Sequence, residues 1–245
     1  MIFGHLNKRK IMRSLILVIL FTTQFTFFGI AQEKSLTVLN ILGASVYADP
    51  SFDSQKIMLL DFGEEIRGVE KESKSADINF ENSIGLEGKW FQILLGDIAT
   101  GYIFSTEVTE KKISFSENEN GSRKWEVMGL EITKKIVNKM VTIDGKDFPF
   151  KLITIEYENG IYTQEVFDGC FDHKYHLQNL TVSEAFHAVN HLYFENIGQN
   201  VRLLIPRILE SGNGKWLFDG YAPTSNLTLT NLGQNQFLIE SYDCD

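Results

Sequence analysis

The feature that most constrains the fold is a series of short β-prone runs between Leu36 and Thr109, separated by glycines. The bulky or β-branched apolar residues of these runs favour strands, and the glycines mark turns or bulges between them. The glycines are Gly43, Gly63, Gly68, Gly96 and Gly101. A segment of about 70 residues buries only a modest core. The pattern therefore predicts a small closed β-barrel.

Two adjacent aromatic residues, Trp90 and Phe91, lie in one of these runs. Side chains alternate along a strand, so one ring is expected inside the barrel and the other outside. The outer ring is then a candidate ligand contact. The alternative is that both rings are used in packing against a neighbouring part of the protein.

Four motifs in this segment resemble those of the bacterial SH3 (SH3b) domain. In order, they are V-Y-A-D-P-S at 46–51, L-L-D-F-G-E-E-I at 59–66, K-W-F-Q-I at 89–93 and G-Y-I-F at 101–104. The resemblance covers residues 36–109. Ala48 and Asp49 stand where the family usually has Arg and Gly before the Pro. The resemblance implies a binding module over residues 32–110 whose ligand surface includes Tyr47, Trp90, Phe91 and Tyr102.

The N-terminus has the pattern of a secretory signal peptide. A basic cluster precedes an apolar run at 14–21, and Gly29 and Ala31 are the small residues expected before a cleavage site. No Cys follows the run, so the lipobox of a bacterial lipoprotein is missing. The alternative is an uncleaved anchor, which would need about 20 apolar residues, whereas threonines and Gln24 interrupt this run. Residues 1–31 are therefore predicted to be removed, leaving Gln32 as the first residue.

The charge of the chain argues against nucleic acid as a partner. The formal net charge is −9, and removal of the basic N-terminal cluster makes the mature chain more acidic. An acidic surface repels phosphate backbones. We expect an exported protein, periplasmic, associated with the outer envelope or secreted, with no stable membrane insertion after cleavage and no cofactor.

The two cysteines, Cys170 and Cys244, both lie in the C-terminal half. An even number of cysteines in an exported chain favours one disulfide. The alternative is two free thiols, because Cys244 is next to a chain end that can fray.

The rest of the chain divides into a polar connection and a second β-rich region. Residues 111–124 are predicted to be a linker, and residues 125–245 an antiparallel β-rich domain with one amphipathic helix at 182–194. Thr181 and Glu184 form a capping box at the start of this helix. The predicted fold class is thus mainly β, with a small SH3-like barrel followed by an antiparallel α+β domain. The C-terminal part resembles no known family.

Every histidine of the mature chain lies between Cys170 and His191, namely His173, His176, His187 and His191. His187 and His191 are four residues apart on the predicted helix and could share a metal. Their face is opposite the apolar stripe, and H-A-V-N-H lacks the Glu of a metalloprotease H-E-x-x-H helix. We therefore expect these two side chains to point into water, with no metal site.

An SH3b module followed by a compact domain is also the layout of NlpC/P60 cell-wall peptidases, which place their nucleophilic Cys early in the domain. Cys170 lies well inside its domain, and a disulfide would remove its thiolate. The sequence thus predicts an exported bacterial SH3 domain-containing protein that is non-enzymatic and recognises cell-wall peptide or another envelope protein. The alternative is a cell-wall hydrolase, either a cysteine peptidase or metal-dependent, with a site at 170–191.

Overall fold

The computed structural model describes residues 32–79, 85–95, 99–117, 123–197, 202–220 and 224–244. The predicted signal peptide at 1–31 lies outside these described residues, as do residues 118–122 of the predicted linker. The described part is mainly β, with two large antiparallel sheets and one α-helix. This confirms the predicted fold class.

The first sheet, called the N-terminal sheet, contains seven antiparallel strands in the order β3-β2-β6-β5-β4-β1-β7. A 3-10 turn at Ser105–Glu107 connects β6 to β7. The strands are β1 (Glu33–Val38), β2 (Ala44–Tyr47), β3 (Lys56–Leu60), β4 (Glu65–Asn79), β5 (Gly85–Leu95), β6 (Ala99–Phe104) and β7 (Val108–Thr109). Its alternating apolar side chains enclose a core that includes Leu36, Val46, Ile93 and Ile103.

Two short hairpins lie outside the large sheets. One pairs β8 (Phe115–Glu117) with β9 (Arg123–Trp125), and the other pairs β14 (Glu195–Ile197) with β15 (Arg202–Leu204). The first hairpin falls within and just after the predicted linker. Ile113 packs on the larger core, and the ring of Phe115 lies 5.3 Å from that of Phe62. The connection between the two sheets is therefore partly structured, because its apolar residues find partners on both sides.

The second sheet, called the C-terminal sheet, contains eight antiparallel strands in the order β10-β11-β12-β13-β19-β18-β17-β16. Two four-stranded meanders meet where β13 pairs with β19. The strands are β10 (Glu131–Ile143), β11 (Lys146–Tyr157), β12 (Gly160–Phe167), β13 (Cys170–Gln178), β16 (Arg207–Gly212), β17 (Lys215–Asp219), β18 (Ser225–Gly233) and β19 (Gln236–Cys244).

Strand β13 carries His173 and His176, the two candidate histidines that lie outside the predicted helix. Asp168 and Gly169 both have positive φ, which allows a tight two-residue turn, and β13 then pairs residue by residue with β12. The Asp-Gly pair was the available signal for this hairpin.

The connection between β11 and β12 contains the pair Asn159-Gly160, but the glycine is not one of the two turn residues. Tyr157 pairs with Gly160, so the turn residues are Glu158 and Asn159. Gly160 is required for a different reason, because a Cβ there would lie 2.1 Å from the carbonyl oxygen of His176 on β13. The glycine permits the close approach of two strands.

The single described α-helix, α1 (Val182–Tyr193), lies between the two sheets. Its capping box is present as predicted: the Thr181 hydroxyl accepts from the Glu184 amide at 3.2 Å, and the Glu184 carboxylate accepts from the Thr181 amide at 2.7 Å. Phe186 and Val189 pack on Leu229 and Ile239 of the C-terminal sheet.

The core around α1 also includes residues from the N-terminal sheet. Leu39 and Leu86 belong to the same buried cluster as Phe186, and they are 0% and 3% exposed. Residues 34–245 accordingly form one compact unit. Of the helices in the described part of the chain, none has both the length and the apolar character needed to cross a membrane.

Candidate functional site

The two helix histidines hold α1 against the N-terminal sheet. Nε2 of His187 donates to the carbonyl oxygen of Thr106, and Nε2 of His191 donates to that of Leu39, each at 2.8 Å. The two histidines are 1% and 0% exposed. The prediction that they point into water is therefore wrong. The N-terminal sheet covers the helix face that lies opposite the apolar stripe.

Burial keeps His187 neutral. Desolvation lowers the pKa of its imidazole to about 4, although the Thr106 carbonyl and the nearby Glu184 favour the charged form. A neutral ring with Nε2 donating to a carbonyl is a structural hydrogen-bond donor. Among the residues that the structure describes, no three His, Cys, Asp or Glu side chains are placed to hold a metal ion together.

The buried carboxylate of Glu184 joins the start of α1 to the end of the N-terminal sheet. One oxygen accepts from the Thr109 hydroxyl at 2.6 Å, and the other accepts from Nζ of Lys111 at 2.6 Å. Glu184 is 4% exposed, so this ion pair is shielded from water on its acidic side. An acidic side chain in the first helical turn is also favoured by the helix dipole.

Cys170 and Cys244 form a disulfide in the structure. They are directly opposed on β13 and β19, with their Cα atoms 4.1 Å apart. The bond therefore links the last residues of the chain to the centre of the C-terminal sheet. A sulfur in a disulfide has no thiolate with which to attack a substrate.

The four residues predicted to contact a ligand are divided between two faces of the N-terminal sheet. Tyr47, Trp90 and Tyr102 pack together with Phe104, whereas Phe91 belongs to the core on the other face. Trp90 and Phe91 are 1% and 5% exposed, so neither ring is open to solvent.

Phe52, which lies in the loop between β2 and β3, covers the Trp90 ring. Its ring centroid is 4.9 Å from that of Trp90 and 4.8 Å from that of Phe104. Sequence reasoning missed Phe52 because its loop, around Pro50, has no strand periodicity. A ligand would reach the Trp90 ring only after Phe52 moves away.

A tyrosine, a histidine and an aspartate lie in line on the face of the C-terminal sheet that also carries α1. The Tyr162 hydroxyl is hydrogen-bonded to Nδ1 of His173 at 2.7 Å, and Nε2 of His173 lies 2.8 Å from Oδ1 of Asp243. Burial is the main cause that raises the pKa of the Tyr162 phenol, which therefore stays protonated.

Neighbouring tyrosines extend this cluster. The Tyr193 hydroxyl is 2.7 Å from that of Ser241, which joins the end of α1 to β19. Burial also raises the pKa of Tyr175 to about 12. These phenols keep their protons at neutral pH. The network therefore consists of hydrogen bonds that join the helix to the sheet.

The opposite face of the C-terminal sheet carries a cleft of about 820 Å³. Side chains alternate along strands, so Asp172 and Lys174 point away from α1 while Leu177 points towards it. Five charged side chains line this cleft: Asp172, Lys174, Glu210, Lys215 and Glu240. Four of them are exposed, and Glu240 is half-buried.

The cleft charges are ordered by strand register. Lys174 lies directly opposite Glu240, which in turn lies opposite Thr228. Asp172 lies opposite Tyr242 in the next row. The surface therefore presents positive, negative and neutral polar groups side by side, spaced by the strand separation of about 4.8 Å.

Comparison of the chain with protein-family models, with curated proteins and with solved structures finds no match.

Proposed function

We propose that this protein is an exported bacterial binding protein of the cell envelope, non-enzymatic, whose ligand occupies the cleft on the C-terminal sheet. The proposal includes export through the signal peptide at 1–31. It also takes residues 36–109 as an SH3b-like module, on the strength of the motifs at 46–51, 59–66, 89–93 and 101–104.

The observation that carries the proposal is the mixed charge of the cleft. Two lysines and three acidic residues line it within one concave surface. A short peptide carries amino groups, carboxylates and amides at comparable spacing, so both of its charge signs can be matched there. This chemistry suits a cell-wall peptide, and it also suits an exposed segment of another envelope protein.

The positions of the candidate catalytic groups favour binding over hydrolysis. Cys170 is bonded to Cys244, and His187 uses its Nε2 on a backbone carbonyl in the interior. His191 does the same one helical turn later. These contacts give no support to a hydrolase whose nucleophile is Cys170 and whose imidazoles are those of the helix, because all three groups have structural roles.

The experiment is a pull-down of the mature protein, residues 32–245, on isolated peptidoglycan. It compares the wild type with variants in which a charge of the cleft is reversed. We expect Lys174→Glu and Glu240→Lys each to reduce the bound fraction, since each places a like charge against a ligand group. Lys112→Glu is the matched control, because Lys112 is exposed and does not line the cleft.

The double variant Lys174→Glu/Glu240→Lys keeps opposite charges across the strand pair and tests folding separately. It should unfold at the same urea concentration as the wild type. Equal retention of wild type, single variants and control on peptidoglycan would contradict the proposed site. Release of peptide fragments from peptidoglycan by the wild type would contradict the non-enzymatic assignment.

A further inference from the structure

Strand β10 is a long open edge of the C-terminal sheet. It has 13 residues, and none of the described strands pairs with its outer side. Its register with β11 is regular from Thr133 to Ile143, with one irregularity at its start. Unpaired N–H and C=O groups along such an edge are a template for another strand.

The other edge of the same sheet is protected in the usual way. Strand β16 has six residues, and its pairing with β17 is interrupted between Ile208 and Glu210. Short and bulged edges discourage pairing with other chains. One edge strand of this sheet is therefore short and interrupted, whereas the other is long and regular.

Exposed apolar side chains lie on both faces of β10. Ile136 and Met140 are 48% and 62% exposed on one face, and Val137 and Ile143 are 37% and 43% exposed on the other. An added strand would bury apolar side chains above and below the sheet. An unpartnered edge of this length that keeps its apolar residues is an interaction surface rather than a solvent-adapted edge.

The end of the β10–β11 hairpin extends past the rest of the sheet. The last residue pair between β11 and β12 is Phe150 with Phe167, and β11 continues beyond it through Pro149 to Lys146. Pro149 is tolerated there because β12 does not reach it. A two-stranded ribbon is only marginally stable by itself, so a third strand would stabilise this part.

A cleft of about 820 Å³ lies beside the second half of β10. Met140, Pro149, Lys151, Val166 and Asp168 are among its lining residues. Lys139 points to the opposite face of the strand, where its Nζ lies over the Phe150 ring. In strand addition, backbone hydrogen bonds give affinity and side-chain pockets give specificity. This cleft would take an apolar side chain of the added strand. The next residue of that strand would point to the opposite face, so a carboxylate there would lie beside Lys139.

The charge of β10 indicates which kind of strand can pair with it. The strand has three lysines and one glutamate, in a chain whose formal net charge is −9. Two copies of β10 would bring like charges together, which disfavours self-association. An acidic strand would instead be attracted.

We propose that β10 binds an extended segment of an acidic partner protein by strand addition, with apolar and acidic residues alternating in that segment. The surface is separate from the peptide cleft, which extends from β13 to the opposite edge strand β16, and the inference does not depend on the function proposed for that cleft.

The test uses two synthetic peptides of about ten residues, one alternating Val with Glu and one alternating Val with Lys. Fluorescence anisotropy measures their affinity for the mature protein, and hydrogen exchange measures protection of the β10 amides. We expect the acidic peptide to bind more tightly and to slow exchange in β10.

The variant Lys134→Glu/Lys135→Glu makes the strand acidic and should weaken binding of the acidic peptide at least about tenfold. Met140→Ser should weaken it too. Leu209→Ser is the matched control, since Leu209 is 50% exposed on the other edge strand. The cleft variant Lys174→Glu should bind the acidic peptide as the wild type does.

Three results would overturn the proposal. One is equal affinity for both peptides, and another is unchanged affinity in the double lysine variant. The third is a concentration-dependent dimer that protects β10 without any peptide, which would identify a second copy of the chain as the occupant.

Discussion

Nε2 of His191 donates to the carbonyl oxygen of Leu39, 152 positions earlier in the chain, at 2.8 Å. Together with the bond from His187 to Thr106, this contact fixes α1 to the N-terminal sheet. Both acceptors are backbone carbonyls in the interior, where an unpaired polar group is costly. The histidines therefore act as donors from α1 to backbone that adjoins the N-terminal sheet.

The stability of the protein should decrease as the pH is lowered, because His187 is neutral in the folded state. Its pKa is about 4 in the folded protein, against about 6.5 in an unfolded chain. Between these values the unfolded state binds more protons, so stability rises with pH. The contribution lost between about pH 7.5 and pH 5 is about 2 kcal/mol.

The matched variant for this prediction is His187→Gln, whose amide can still donate to Thr106 and does not titrate. Urea unfolding at both pH values gives the difference between wild type and variant. The free energy of unfolding of the variant minus that of the wild type should increase as the pH falls. A difference independent of pH would show that His187 does not titrate as described.

Removal of the disulfide should destabilise the protein by about 4 kcal/mol on the loop-entropy estimate, since the bond closes a loop with a sequence separation of 74 residues. The measurement compares urea unfolding of oxidised protein with that of Cys170→Ala/Cys244→Ala. Alkylation of both thiols in the native protein would contradict the pairing.

The Glu184–Lys111 pair should contribute more to stability than an ion pair in solvent. Glu184 has a side-chain exposure of 5%, whereas both side chains of the Arg207–Asp219 pair are exposed, at 72% and 47%. A double-mutant cycle with alanine at each pair measures the coupling free energies. We expect less than about 1 kcal/mol for the exposed pair and about 1.5–3 kcal/mol for Glu184–Lys111. Equal couplings would refute this.

Two glycine substitutions in strands should have opposite outcomes. A Cβ at Gly88 would lie 2.6 Å from the Phe104 ring, whereas a Cβ at Gly212 meets no atom within 4 Å. Gly88→Ala should destabilise the protein by about 1–3 kcal/mol through overpacking, and Gly212→Ala by less than about 0.5 kcal/mol. Urea unfolding tests both, and a neutral Gly88→Ala would mean that the Phe104 ring can move aside.

Local signals in the sequence predicted the elements whose causes are local. The capping box at Thr181 and Glu184 predicted the start of α1. The even cysteine count predicted the pair that the structure bonds. Each of these depends on neighbouring residues or on simple counting.

Contacts made over long sequence distances were not predictable in this way. A helix face with His187 and His191 has the same local pattern whether water or a sheet covers it. The carbonyls that accept from these rings belong to residues 81 and 152 positions away. Likewise, the ring of Trp90 is covered by Phe52, a loop residue whose position depends on tertiary packing.

Because α1 contributes to packing on both sides, the protein should unfold as one cooperative unit. A fragment ending at residue 110 would leave the carbonyls of Leu39 and Thr106 without their imidazole donors. A fragment beginning at residue 111 would lose Leu39 and Leu86 from its main core. An N-terminal segment with this dependence does not fold by itself, so gene fusions that move it alone would transfer an incomplete fold.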